Sequence, residues 1–256
     1  MLALREPQGV LGAIVARTVA DLDRSPASSR TADAPRGLRE ALRRPADAPR
    51  HLSLLAEVKP RSPSAGDLGA RVERLLPVYD ERAAAISVLV DGPHFGGSFA
   101  LLSEVRAAVQ RPVLAKGFFV DPSQLDRAWA AGADGVLLMA ALLPPASLVS
   151  MLAACEERGL DALVEAHDAT ELAEVLDAGA TLVGVNSRDL RTLTIDLGRA
   201  RDLLATIPEG PVRLCESGLH TRADVDAVRG LCDAVLVGTA LVTAPDPRVA
   251  VEELGL

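Results

Sequence analysis

Leu54-Leu55-Ala56-Glu57-Val58-Lys59-Pro60-Arg61-Ser62-Pro63-Ser64 begins as an unbroken apolar run and ends in an acid and a base two positions apart. Side chains two apart on a strand share a face, so Glu57 and Lys59 point the same way. Pro60 and Pro63 then end the run in a loop. A strand that is apolar on both faces belongs to a sheet covered on both sides. Its end here offers a carboxylate and an ammonium to one small volume. A surface ion pair at a strand end is the plainer account of the same two residues, and it would contribute little.

Working outward, the same kind of run recurs. Apolar stretches begin near Leu54, Ala85, Pro112, Gly135, Asp161, Leu182, Val212 and Ala234. Each is followed by an amphipathic segment long enough for a helix. Strands alternating with helices give a parallel sheet, and eight such units in about 200 residues satisfy a (β/α)8 TIM barrel. An open doubly wound sheet is the competing arrangement. Helix boundaries carry their own marks. Asp121-Pro122 pairs an N-cap with proline at the first helical position. Asp168…Glu171 and Thr221…Asp224 place an acid in a first turn. Ala-Gly-Ala recurs at 131–133 and 178–180, each time just before a strand, with the glycine as a helix stop.

Residues 1–50 show no strand pattern and read as an N-terminal helical extension. A helix is expected over 9–24, with Leu11, Ile14, Val15, Val19 and Leu22 on one face. A Ser/Ala/Pro/Asp-rich loop is expected over 25–36, and a short helix over about 37–44. Residues 51–256 form the barrel, a single catalytic domain. Of the 256 residues 49% are hydrophobic and only 2% aromatic, so the core is built of Leu, Val and Ala. The net charge of -8 and the lack of a basic block argue against nucleic acid and anionic membrane as partners. Cys155, Cys215 and Cys232 are odd in number and show no metal-site spacing, which fits a reducing cytosol. The start of the chain has no signal-peptide core. No apolar run reaches the length of a membrane span. A cytoplasmic location is expected.

Barrel enzymes place their chemistry at the C-terminal ends of the strands. Those ends read, in order, Glu57 with Lys59, Asp91, Lys116, an apolar fourth strand with Leu137 and Met139, Glu165, Asn186 with Arg188, Glu216 with Ser217, and Gly238 with Thr239. Buried charges need partners, so acids and bases on most strands point to an active site. Ser217-Gly218 and Gly238-Thr239 follow strands seven and eight. Loops there are the usual phosphate site of the fold, with free N–H groups and a hydroxyl to hold an anion. Closing tight turns is the plainer role of the two glycines.

The segments EVKPRSPSAG (57–66), FGGS (95–98), PVLAKGFFVDP (112–122), LVEAHD (163–168), GVNSRDL (184–190), ESG (216–218) and VGTAL (237–241) closely resemble the indole-3-glycerol phosphate synthase family, in its order and spacing. The resemblance implies ring closure of 1-(2-carboxyphenylamino)-1-deoxyribulose 5-phosphate, with loss of carbon dioxide and water, in tryptophan biosynthesis. It implies no metal and no cofactor. Lys116 resembles the ring-closure acid, and Lys59 the residue that binds the carboxylate or phosphate side and serves as dehydration acid. Glu165 and Glu57 resemble the catalytic carboxylates. Asn186, Arg188 and Glu216 resemble residues that orient the substrate, and Ser62 a contact to its anthranilate carboxylate. Ser217, Gly218, Gly238 and Thr239 match the phosphate site. Phe118, Phe95 and Leu137 correspond to the aromatic pocket.

The chain departs from the family at Gly117, where Asp is usual, at Ala115, at Val90, at Thr239 and at Val242-Thr243. A barrel that binds phosphate but has lost or changed its chemistry is the alternative those positions suggest. His94 and His167 are expected behind the site or facing solvent. A monomer acting on a phosphorylated small molecule is expected, with no nucleic acid and no membrane.

Overall fold

The computed structural model describes residues 2–7, 9–23, 27, 29–30, 32–48, 50–62, 66–67, 72–190 and 192–256. The strands are β1 (Ser53–Val58), β2 (Arg61–Ser62), β3 (Gly66–Asp67), β4 (Ala85–Leu89), β5 (Val113–Lys116), β6 (Gly135–Met139), β7 (Asp161–Ala166), β8 (Leu182–Asn186), β9 (Val212–Glu216) and β10 (Ala234–Val237). All but β2 and β3 form one closed parallel barrel, with β1 paired to β10 and to β4. Its eight strands begin within one residue of the eight apolar runs, so the open doubly wound sheet is excluded. The loop expected after Lys59 contains a small antiparallel pair, β2 with β3.

The helices are α1 (Gly9–Ala20), α2 (Leu38–Leu42), α3 (Val72–Arg82), α4 (Gly92–Phe95), α5 (Phe99–Ala108), α6 (Pro122–Ala130), α7 (Pro145–Glu156), α8 (Ala169–Asp177), α9 (Leu197–Thr206), α10 (Arg222–Val228), α11 (Thr239–Thr243) and α12 (Pro247–Leu254). Caps stand where the sequence marks them. The Asp121 carboxylate accepts from Ser123 N–H in a capping box with Gln124, and Thr221 makes a second box with Asp224. Asp168 accepts from Glu171 N–H. Gly132 (φ 96°) and Gly179 (φ 81°) take the left-handed conformation after α6 and α8, which glycine adopts without steric cost. The barrel core is chiefly Leu, Val and Ala, and among the described residues the only fully buried aromatic side chains are Tyr79 and Phe119. Among the described residues no helix is long and apolar enough to cross a membrane.

The extension meets both ends of the barrel. α2 seals the N-terminal end of the strands. Leu38 and Leu42 are fully buried there, and a side chain on Gly135 would meet Leu38 at 2.5 Å. Arg36 N–H donates to Asp134 (2.8 Å) and Arg39 N–H donates to Asp161 (2.9 Å), fixing this seal to the entries of β6 and β7. Arg30 binds the outer wall, donating to Trp129 O and Ala133 O. α1 lies at the opposite end, facing the loops after β4 and β5 across a cleft lined by Ile14, Arg17, Val90, Asp91 and Phe119. It ends at Ala20, four residues short of the periodic pattern.

Candidate active site

Barrel strands contribute to interior layers alternately. Glu57 (β1), Lys116 (β5), Glu165 (β7) and Glu216 (β9) come from the first, third, fifth and seventh strands of the barrel. Alternation therefore brings three acids and one base from distant parts of the chain into one layer. Lys116 Nζ lies 3.3 Å from Glu57 Oε2 and 3.2 Å from Glu216 Oε2. Lys59 Nζ lies 2.6 Å from Glu57 Oε1. Side-chain exposure is 13% for Lys59 and 6% for Glu57, which rules out the surface ion pair. Asn186 Nδ2 donates to Glu165 Oε2 (3.0 Å), while its Oδ1 accepts from Arg188 N–H (3.0 Å), so both ends of the amide are assigned.

Two glycines make room for the acids. A Cβ on Gly184, which pairs with Glu165 in the β7–β8 register, would stand 2.3 Å from Glu216 Oε1. A Cβ on Gly238 would stand 2.5 Å from Glu57 Oε1. Gly238 thus serves the carboxylate of β1 whatever else it contacts.

The cluster sets its own protonation. Burial works against the charge of Glu57, but Lys116 and then Lys59 outweigh it and hold the carboxyl at about 2. Burial also works against Lys116, and Glu57, Glu216 and Glu165 reverse the effect, so the ammonium is held above its usual range. Glu216 is fully buried beside Glu165, and burial followed by that like charge pushes it up to about 8. Glu165 shifts the other way. Burial is outweighed by His167 and Lys116, which keep it ionised. Two carboxyls with environments that push them apart are suited to opposite proton-transfer roles.

Over this layer lies a cavity of about 160 Å³. Glu57, Lys59, Lys116, Glu165, Asn186, Arg188, Ser217, Gly218, Gly238 and Thr239 line it, together with Phe95, Phe118 and Leu137. The two phenyl rings lie 6.5 Å apart at 27° on one side. Ser217 (φ 67°) and Gly218 (φ 73°) are consecutive left-handed residues. A non-glycine in that conformation is strained, and such strain collects at functional sites. α11 begins at Thr239, directly after Gly238.

Several candidate residues stand apart from the cavity wall. Glu216 is not on it; its carboxylate lies beneath, against Lys116. Ser62 stands on β2, and its side chain lies outside the described residues. Asp91 caps α4, accepting from His94 N–H (3.0 Å), and faces the cleft under α1 together with His94. His167 does not face solvent, its side chain being 12% exposed between two glutamates. Leu89, Leu190, Leu219, Leu236 and His220, none of them predicted from the sequence, also line the cavity. An apolar residue at a strand end or in a loop carries no sequence signal that separates lining from packing.

A sequence model of the family described as indole-3-glycerol phosphate synthase matches residues 9–254. A protein of that name from Parafrankia sp. is 46% identical over 211 residues, covering 81% of this chain and 78% of that protein. Another, from Mycobacteroides abscessus, is 43% identical over 251 residues, covering 96% and 90%. Among solved structures, a 3-hexulose-6-phosphate synthase superposes with a TM-score of 0.62 over 79% of this chain and 98% of its own, at 19% identity. That likeness speaks for the fold alone.

Proposed function

Because the chain belongs to the indole-3-glycerol phosphate synthase family, we propose that it closes the indole ring of 1-(2-carboxyphenylamino)-1-deoxyribulose 5-phosphate, as a cytosolic carboxy-lyase of tryptophan biosynthesis. The observation that carries the reading is Lys116, held protonated between Glu57 and Glu216 at the base of a cavity with an aromatic and aliphatic wall.

The ring carbon bearing the carboxylate attacks the ketone, and Lys116 gives a proton to the developing alkoxide. A preorganised cation where negative charge develops is a large source of rate enhancement. Carbon dioxide then leaves, and its bonding electrons restore the aromatic ring. The new hydroxyl leaves as water with a proton from Lys59, while Glu165 takes a proton from the adjacent methylene to complete the pyrrole. One proton is drawn from solution per turnover, because a carboxylate departs as neutral carbon dioxide. Glu57 holds both lysines in place. Arg188 and Asn186 orient the sugar chain, and Glu216, beneath the cavity, supports Lys116. Ser62 receives the anthranilate carboxylate. Ser217, Gly218, Gly238 and Thr239 hold the phosphate. Phe95, Phe118 and Leu137 bound the aryl ring. A side chain on Gly117 would stand 2.7 Å from Val90 Cγ2, so the glycine leaves room for its neighbour.

The test is substrate labelled with carbon-13 in the carboxylate. Equimolar labelled carbon dioxide and fluorescent indole product support the proposal. Tight binding of a reduced, unreactive analogue without either product would point to a phosphate-binding barrel with altered chemistry.

A further inference from the structure

Glu165 has two oxygens, and the reaction proposed above accounts for the partner of only one. Oε2 accepts from Asn186. Oε1 is buried and receives no well-directed hydrogen bond from a described residue. His167 Nε2 is in the same condition, and the two atoms face each other at 3.2 Å. The other ring nitrogen, Nδ1, lies 3.1 Å from Glu171 Oε2, and that oxygen also accepts the His167 backbone N–H (2.8 Å). Glu171 is itself fixed in the first turn of α8, where its N–H donates to Asp168 (2.9 Å). The imidazole is therefore gripped at ring and backbone, between two carboxylates.

This arrangement constrains the charge of the ring. A neutral imidazole donates from one nitrogen only. With Nδ1–H on Glu171, a neutral ring would aim a lone pair at the Glu165 carboxylate inside a buried site. With both glutamates ionised, only the imidazolium satisfies both contacts. Glu165 and Glu171 accordingly outweigh burial and raise His167 to about 10. From this geometry we infer that His167, anchored by Glu171, is a positioning residue that holds Glu165 ionised and in one orientation. The inference rests on the proposed role of Glu165 as proton acceptor. The charged and polar groups facing Glu165 are His167, Lys116 from β5, Asn186 from β8 and Glu216 from β9. Those facing His167 are Glu165 and Glu171. Protonation of Glu165 removes the acceptor, so its ionisation sets an acid limb of the kcat–pH profile. Loss of the adjacent cation raises that limb.

Two measurements on the whole chain test this. In nitrogen-15 spectra of histidine-labelled protein, the resonances missing from His167→Gln belong to His167. They are expected to report a doubly protonated ring at pH 8, with titration moving to lower pH in Glu171→Gln. In the kcat–pH profile, His167→Gln is expected to shift the acid limb upward by about one unit, a tenfold change, with KM changed less than twofold. Glu171→Gln shifts it the same way by less. A neutral His167 ring at pH 8 in the wild type overturns the inference. So does an unmoved acid limb in both folded variants, which would leave His167 a purely structural role. Absence of turnover in the wild type would instead sink the reaction proposed above, and the nitrogen spectra would still decide the charge of His167.

Discussion

Glu57 and Lys116 meet at 3.3 Å across the barrel mouth, from strands β1 and β5 that are not hydrogen-bonded to each other. The intervening strand β4 pairs with both, Ser87 opposite Glu57 and Leu89 opposite Lys116. Barrel closure, not local sequence, creates this contact. Removing one partner of a buried pair costs up to about 3 kcal/mol, and here Glu57 keeps Lys59 at 2.6 Å, which reduces the loss. Lys116→Met should therefore be less stable than the wild type at pH 7. Glu57 is depressed in the folded protein, so its contribution is present above the unfolded carboxyl value and is lost as pH falls toward about 2. Denaturant midpoints should show the difference narrowing below pH 4.5. A constant difference across that range would contradict the pairing.

Glu216 gives the opposite slope. Its carboxyl is raised to about 8, so between the unfolded value and pH 8 the folded state binds more protons than the unfolded one. Stability should fall with rising pH over that window. Glu216→Gln imitates the protonated form and should flatten the curve there. An unchanged slope would mean that Glu216 ionises near the usual carboxyl range.

Gly184 and Glu216 form a steric pair. Gly184→Ala should cost about 1–3 kcal/mol, because the new methyl overlaps the carboxylate. In a Glu216→Ala background the same change should cost much less. Additive costs in the double-mutant cycle would show that Glu216 does not occupy the space beside Gly184.

Ser217 trades stability for a hydroxyl. With φ at 67°, replacement by glycine relieves about 1 kcal/mol of backbone strain. Ser217→Gly should raise the melting temperature and also raise KM, through loss of the proposed phosphate contact. A lower melting temperature would place the stabilising role in the hydroxyl.

Arg188 is tethered within its own loop, donating to Leu193 O at 3.3 Å. Its proposed task is orientation, so Arg188→Ala should raise KM more than it lowers kcat. Equal loss in kcat and in kcat/KM would instead give it a role in the transition state.

The fold was legible because buried parallel strands are continuous apolar runs, and eight of them leave few alternatives. The candidate site was legible where charged side chains sit on alternate barrel strands, as with Glu57, Lys116 and Glu165. What the sequence could not tell is depth. Strand alternation sends Glu216 inward, but only the register placing Asn186 beside Glu216, with Gly184 two residues earlier on β8, shows that the acid lies beneath the cavity. Asp91 looked like its neighbours at strand ends, yet the Gly-Pro that follows it starts a helix and turns the carboxylate into a cap. His167 sits one residue past β7, where alternation no longer predicts direction, and Glu171 from the next helix turns it inward.

The most direct test of the account is turnover by Lys116→Ala, beside the wild type, with binding of the reduced analogue measured by calorimetry. Loss of Lys116 should lower kcat by about 10²–10⁴, the range of a missing general acid, with the analogue still bound. Turnover near the wild-type rate would contradict it and move the ring-closing proton to another group.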